Sequence, residues 1–253
     1  MKVTFLGTGT SQGVPVIACP CKVCTSPDPR NKRLRASVMI EDKGKLIVID
    51  SGPDFRQQML RANVKQLDGL VFTHEHKDHI AGMDDIRAFN YILKKKIDVY
   101  ASEKVQQNMQ REFPYVFEDF KYPGVPEINL HTICNKEFEV AGIKILPVEV
   151  MHYRIPVFGF RIGDFTYITD ANFISEEEKK KIRGSKIIVL NALRKEKHVS
   201  HYTLDEAVAV LKDLNAEKSY LTHISHQLGL HEEVDKELPE NIRCSYDEMV
   251  IEV

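Results

Sequence analysis

Short apolar runs rich in β-branched residues punctuate this chain from end to end: Val3-Thr4-Phe5-Leu6, Leu46-Ile47-Val48-Ile49, Leu70-Val71-Phe72, Ile187-Ile188-Val189-Leu190. Runs this short read as strands buried on both faces, because a buried helix takes about ten residues or more. The pattern predicts strands near 2–6, 37–41, 45–49, 69–73, 97–100, 137–140, 143–150, 158–162, 165–169, 186–190, 219–222 and 249–252. Between them, helical spacing predicts helices near 54–62, 80–94, 103–111, 175–182, 203–214 and 231–237. No Ser/Gly linker, internal repeat or low-complexity tract divides the chain. It therefore reads as two unequal αβ halves packed as one unit over residues 1–253. Two β-rich halves with outer helices suggest an α/β (α+β) fold, a four-layer αββα sandwich.

The ends of several predicted strands carry metal-ligand chemistry. Leu70-Val71-Phe72 runs into Thr73-His74-Glu75-His76-Lys77-Asp78-His79. Open α/β folds keep their sites at the carboxyl ends of strands, and imidazole with carboxylate holds Zn, Mn or Fe. In an extended segment His74 and His76 point to one side and can share an ion. Asp78 and His79, a turn further on, can face a second. His152 follows Ile145–Val150, Asp170 closes Phe165–Thr169, and His223 closes Ser219–Thr222. One strand end bearing a His means little; four delivering ligands together are hard to read as structure alone. The two oxygens of Asp170 can each take one metal.

The run His-x-His-x-Asp-His followed by spaced His, Asp and His resembles the metallo-β-lactamase superfamily of hydrolases, and the likeness covers the whole chain. The resemblance implies that His74, His76 and His152 bind one ion, that Asp78, His79 and His223 bind another, and that Asp170 bridges them. Asp50, in Val48-Ile49-Asp50-Ser51-Gly52, matches the acid that supports the ligands from behind. The fold it implies is the same αββα sandwich.

A second cluster, Cys19-Pro20-Cys21-Lys22-Val23-Cys24, places three thiols within six residues. Close Cys-x-Cys pairs make strained bridges, whereas three thiolates and one imidazole close a tetrahedral structural zinc site. His226, in Thr222-His223-Ile224-Ser225-His226-Gln227, is the expected fourth ligand. The Cys-x-Cys-x-x-Cys and Thr-His-Ile-Ser-His-Gln runs together resemble the branch of the superfamily that contains the cyclic phosphodiesterase of the carbon–phosphorus lyase pathway. That resemblance implies a phosphodiesterase acting on a small, cyclic phosphodiester such as phosphoribosyl 1,2-cyclic phosphate. Two divalent active-site ions are expected, Zn or Mn with Fe admitted, besides the structural Zn. Set against Asp78 and Asp170 they leave a positive site, and coordination brings the pKa of water to about 7.

Asp78 and His201 are the catalytic candidates. His201, in Ser200-His201-Tyr202-Thr203-Leu204-Asp205-Glu206-Ala207, resembles the histidine that acts near the scissile phosphate in the superfamily's phosphodiesterases and tRNA nucleases. An ordinary imidazole pKa fits a general acid. His198 is expected to be exposed, and His131 and His231 to be non-catalytic. Arg154 and Arg87 could reach a substrate phosphate but are more often surface or salt-bridged residues.

With 253 residues and a formal charge of −2, the chain offers no general attraction to nucleic acid or anionic lipid. No apolar run approaches the ~20 residues of a membrane span. Val16-Ile17-Ala18-Cys19 resembles a lipoprotein cleavage site, but Gly7-Thr8-Gly9-Thr10-Ser11-Gln12-Gly13 upstream is too polar for a signal core. That Gly-rich stretch has Gln12 where a dinucleotide fingerprint needs its third glycine, so a tight turn is expected there. A cytoplasmic enzyme with a small anionic substrate is expected, with a homodimer left open. Two rivals stand: an RNA 3′-processing nuclease, against which the lack of a long basic arm counts, and a non-catalytic zinc scaffold.

Overall fold

The structure is a computed structural model and describes residues 1–120 and 122–253. Among the described residues, fourteen strands form two seven-stranded sheets. They are β1 (Lys2–Gly7), β2 (Ser37–Asp42), β3 (Lys45–Ile49), β4 (Gly69–Val71), β5 (Ile97–Ala101), β6 (Ile128–Thr132) and β7 (Phe138–Val140). The others are β8 (Ile143–His152), β9 (Ile155–Ile162), β10 (Phe165–Ile168), β11 (Ile187–Asn191), β12 (Lys218–Thr222), β13 (Ile242–Cys244) and β14 (Val250–Glu252). The helices are α1 (Phe55–Arg61), α2 (Lys77–Ile80), α3 (Arg87–Leu93), α4 (Glu103–Glu112), α5 (Pro114–Phe117), α6 (Glu176–Ile182), α7 (Leu204–Leu214) and α8 (His231–Glu237).

One sheet runs β14-β1-β2-β3-β4-β5-β6 and the other β13-β12-β11-β10-β9-β8-β7. Alternation within single strands builds the layers. Ile47 and Ile49 of β3 join Phe160, Phe165, Tyr167 and Val189 in the core between the sheets. Leu46 and Val48 face outward onto Phe55, Met59 and Phe89. In β11, Ile187 and Val189 point inward, while Ile188 and Leu190 meet Leu204, Ala207 and Leu211 of α7. Burial on both faces explains why these strands read as continuous apolar runs rather than alternating ones, and the result is the expected αββα sandwich. Helix α7 starts at a capping box in which the Thr203 hydroxyl accepts from Glu206 N and the Glu206 carboxylate accepts from Thr203 N.

Pairing directions bring the chemical strand ends together. β3, β4 and β5 are mutually parallel, as are β10, β11 and β12. β8 is antiparallel to β9, and β9 to β10, so β8 runs with β10. The carboxyl ends of β8, β10 and β12 therefore share one edge of their sheet, and those of β3 and β4 share one edge of the other.

The observed elements differ from the expected ones at several points. The helix expected over 80–94 is broken into α2, a short 3-10 turn at Met83–Ile86, and α3. The interruption is a close approach: Gly82 N donates to Ser51 O, and a Cβ on Gly82 would overlap the carbonyl oxygen of Gly52. Strands β6 and β13 lie outside the expected set; β6 is a partly exposed edge strand, and β13 has only three residues, one of them Arg243. Among the described residues, no helix is long and apolar enough to cross a membrane.

Candidate metal centre

Ligand-type side chains converge where the strand ends meet. The donor atoms of His74, His76 and His152 all lie within 4.8 Å of one another, as do those of Asp78, His79, Asp170 and His223. Each is placed by local structure. His74 and His76 lie in the segment between β4 and α2, where His76 is still extended (φ −67°, ψ 150°). The first turn of α2 then places Asp78 and His79, with His79 N donating to His76 O. His152 ends β8. Asp50, Asp170 and His223 follow β3, β10 and β12 with φ of 65°, 58° and 54°. Left-handed backbone is uncommon for residues other than glycine, and it bends the chain sharply at each strand end.

The groups behind the donors fix their orientation. Asp50, fully buried, accepts from Thr73 N at 2.9 Å and Thr73 Oγ1 at 2.8 Å, and its Oδ2 lies 2.7 Å from His79 Nδ1. A carboxylate there requires the His79 proton on Nδ1 and leaves Nε2 facing Asp78 and Asp170. The carbonyl of Ser200 accepts from His152 Nδ1 at 2.9 Å. Thr169 Oγ1 donates to Asp170 Oδ2 at 2.6 Å and lies 3.2 Å from His223 Nδ1. Sequence reasoning misses Thr73, Thr169 and Ser200. Thr73 and Thr169 each precede a candidate ligand, a placement that could flag them; the Ser200 contact runs through its backbone and leaves no signal in residue type.

Charge in the cluster is balanced by proximity. His79 Nε2 lies 3.1 Å from Asp78 Oδ2 and 3.2 Å from Asp170 Oδ2, and His223 Nδ1 lies 3.1 Å from Asp170 Oδ2. Burial opposes charge on His79, but Asp78, Asp170 and Asp50 outweigh it and raise its pKa well above the usual imidazole value. Burial raises Asp170 as well, yet His223 and His79 hold it well below the carboxylate range. His74 is pushed well below its ordinary value, by burial first and then by His79.

This donor set fits divalent cations. The Nε2 atoms of His74 and His79 are buried and have no partner in hydrogen-bonding geometry, and an unpaired buried polar atom is costly. Three imidazoles on one side and two carboxylates with two imidazoles on the other are N/O sets suited to Zn, Mn or Fe.

His201 stands beside both sets. Its donor atom groups with those of His152 and Asp170, its ring centroid is 4.8 Å from that of His152 and 4.9 Å from that of His223, and its Nδ1 is 3.8 Å from Asp170 Oδ1. Burial pushes its pKa down to about 3, so the ordinary pKa expected from sequence is corrected: the free imidazole is neutral at pH 7. His198 is half-buried rather than exposed, 5.1 Å from His201 between ring centroids. Arg154 lies over the exposed ring of Tyr153 at 5.1 Å. Arg87 pairs with Asp84 and lines a basic surface recess with Lys94, Lys95 and Lys96. His131 pairs with Asp98, and His231 meets Arg33.

The donor atoms of Cys19, Cys21, Cys24 and His226 also lie within 4.8 Å of one another. His226 Nδ1 is 3.3 Å from both the Cys19 and the Cys21 sulfur. A bond from the Cys24 backbone N–H and the contact with His226 lower the Cys21 thiol to about 6, while burial raises Cys24 to about 11. A closed set of three sulfurs and one nitrogen suits structural zinc. The Gly-rich opening leads into this loop, and Gly9 bridges to Ile224, one residue beyond His223.

A family profile described as a beta-lactamase superfamily domain matches residues 45–224. A structure described as a new diphosphatase from the PhnP family is similar to the whole chain, with 39% identity and a TM-score of 0.94 over 100% of this chain and 97% of that one. Zinc-bound PqqB from Methylobacterium extorquens shares the fold at 16% identity and a TM-score of 0.78, covering 100% of both chains. Among curated relatives, an octanoyltransferase of Porphyromonas gingivalis is 38% identical over 250 residues, 98% of this chain and 50% of the relative. A ribonuclease Z of Nostoc sp. is 29% identical over 174 residues, 65% of this chain and 47% of the relative. The chain thus spans about half the length of these curated relatives.

Proposed function

Because the chain belongs to the metallo-β-lactamase superfamily of metal-dependent hydrolases, we propose that it is a phosphodiesterase cleaving a small phosphodiester, cyclic diester or diphosphate at a two-metal centre. The observation that carries this reading is Asp170, whose carboxylate lies between His79 and His223 on one side and His201 on the other. His74, His76 and His152 would hold one ion, Asp78, His79 and His223 the other, with Asp170 shared. Bound divalent ions supply Lewis acidity and ionised water at neutral pH.

The protein's own groups orient and protonate. Asp50, itself held by Thr73, fixes the His79 ring; the Ser200 carbonyl fixes His152. Tyr202, next to His201, is pinned on both sides, its N donating to Ala171 O and its O accepting from Leu193 N. His201 is neutral in the free protein and becomes an acid only once an anionic phosphate beside it raises its pKa; it then protonates the leaving oxygen. Cys19, Cys21, Cys24 and His226 would close a zinc staple between the amino-terminal loop and the segment carrying His223.

The His201→Ala variant, with its metal content measured, should lose about 10²–10⁴ of turnover on an alkyl phosphodiester and much less on a nitrophenyl ester, whose leaving group needs no proton. Equal losses on both remove the general-acid role. A screen of metal-loaded protein against bis-nitrophenyl phosphate, cyclic nucleotides, phosphoribosyl 1,2-cyclic phosphate and pre-tRNA tests the class. The ribonuclease Z relatives favour a second reading, RNA 3′-end cleavage, which activity on pre-tRNA alone would establish. Silence on all four substrates with metals loaded would leave the scaffold.

A further inference from the structure

The loop that carries His201 is held by side chains rather than by its own backbone. Its two ends are pinned together, Leu193 N donating to Tyr202 O at 3.0 Å and Leu204 N to Arg194 O at 2.9 Å. Between them, among the described residues, no backbone–backbone hydrogen bond reaches residues 195–201. Compact surface loops with close ends are packed by their own side chains, so the contacts those side chains make decide where His201 stands.

The second half of the loop is fastened from the side of the metal centre. Ser200 O accepts from His152 Nδ1 at 2.9 Å, and Ser200 N donates to His198 Nδ1 at 3.3 Å. Val199 O accepts from Asn172 Nδ2 at 3.3 Å, while Asn172 Oδ1 accepts from Tyr153 N, in the turn between β8 and β9, at 2.7 Å. The first half is fastened by one residue. Each nitrogen of the half-buried Arg194 guanidinium donates to a protein oxygen: Nε to Glu196 O at 3.2 Å, Nη2 to Lys197 O at 2.9 Å and Nη1 to Gln227 Oε1 at 3.0 Å. Gln227 directly follows His226, and Ser225 N donates to Leu193 O at 3.0 Å. One guanidinium thus ties the His201 loop to the segment that carries His223 and His226.

We propose that Arg194 is a positioning residue for the reaction: it braces residues 195–201 against Gln227, so that the buried His201 ring stays beside His152 and Asp170. This rests on the phosphodiesterase reading and adds to it a residue outside the ligand set. The planar fork matters, because a guanidinium holds its donors in one rigid arrangement that an ammonium on a flexible stem does not reproduce. An arginine near an anionic site would ordinarily be read as a phosphate contact. Here the two carbonyls of Glu196 and Lys197 and the Gln227 amide already take a bond from every nitrogen, which favours the brace.

Arg194→Met, Arg194→Lys and Gln227→Ala test the brace, with metal content and melting temperature recorded for each. In Arg194→Met, turnover on an alkyl phosphodiester relative to a nitrophenyl ester should fall by about 10–10²-fold, the range that a displacement of about 1 Å can cost, with KM near the wild-type value. Arg194→Lys should fall with it, because charge alone does not restore the fork, and Gln227→Ala should show a smaller drop of the same kind. Endoproteinase Lys-C under native conditions reads the loop apart from activity. Cleavage after Lys195 or Lys197, both exposed, should rise about tenfold in Arg194→Met, the loss of roughly one hydrogen bond. Cleavage after the exposed Lys43, in the turn between β2 and β3, should stay unchanged. An unchanged ester ratio, or full rescue by lysine, overturns the positioning role. A raised KM on both esters with the ratio intact overturns it in favour of a direct phosphate contact. A metal-loaded wild type that cleaves neither ester overturns the phosphodiesterase reading; the brace then stands or falls on Lys-C, where unchanged cleavage after Lys195 and Lys197 overturns it.

Discussion

Replacing Asp50 by an asparagine tests whether the centre is held from behind. The wild-type carboxylate accepts two hydrogen bonds from Thr73 and faces His79 Nδ1 at 2.7 Å, all fully buried. An amide keeps the shape but turns one acceptor into a donor. Either a Thr73 donor or the His79 N–H must then face an N–H. A hydrogen bond to a charged group contributes about 1.5–3 kcal/mol, and removing one partner of a buried ion pair costs about 3–5 kcal/mol. The metal-free variant should therefore lose several kcal/mol of stability. Freed of its carboxylate, the His79 ring loses its fixed tautomer, and affinity for the ion that His79 holds should fall by about 10–100-fold. The set of His74, His76 and His152 reaches Asp50 only through Thr73 Oγ1, which lies 3.0 Å from His74 Nδ1, and its affinity should fall less. Chelator competition followed by metal analysis reads both sites, and urea unfolding of stripped protein reads stability. An Asp50→Asn variant that retains wild-type affinity for both ions would refute the reasoning.

Other consequences are measurable separately. Cys21→Ser should lower the melting temperature and remove one zinc equivalent while leaving the two-ion site chemically intact; near-wild-type melting counts against a staple. Metal loading at pH 7 should release protons, because His79, held charged by three carboxylates, must give up the proton that the cation replaces; calorimetry in buffers of different ionisation enthalpy measures it, and zero release contradicts the balance described. Acid should destabilise the stripped protein through His201. Its folded pKa, about 3, lies below the unfolded value of about 6.5, so between these the unfolded chain binds a proton the native one refuses. That contribution is complete above about pH 6.5 and drains as the pH falls. His79 acts in the opposite sense, so the comparison is internal: His201→Asn should show a shallower loss of stability from about pH 7 to 4, and equal slopes would refute it.

Candidate ligands such as His152, Asp170 and His223 are legible in the sequence because each lies at or just past the end of a buried strand. Leu70-Val71-Phe72 before His74 and Tyr167-Ile168 before Asp170 could be nothing but interior, so the next polar residue has to surface at the sheet edge. The supporting contacts are less visible. Asn172 looks like any loop asparagine until the β8–β9 turn and the loop carrying Val199 are brought to its two ends. His201 is identifiable from its neighbourhood, but its pKa depends on burial, which spacing does not encode. The expected helix over 80–94 is too long because its apolar periodicity continues through Gly82, whereas the backbone there is committed to Ser51. The edge strand β6 carries a readable alternation, Ile128 and Leu130 inward of Asn129 and His131, that is easily overlooked because its polar face is as strong as its apolar one.

The left-handed residues tie fold to site. A strand leaving a buried sheet would continue straight past the edge and carry its next side chain away from the opposite sheet. Asp50 and His223 instead turn at φ of 65° and 54° directly after β3 and β12, and Asp170 at 58° one residue beyond β10, and that bend folds each side chain back over the ends of the strands. Such conformations cost about 1–3 kcal/mol each and persist where the surroundings over-determine them. Here those surroundings are the hydrogen bonds Asp50 N to Val71 O, Ala171 N to Asn191 Oδ1, and Ile224 N to Thr8 O. A glycine at any of the three positions would relieve the strain and delete the functional side chain, so strain relief alone cannot improve this protein without dismantling its centre.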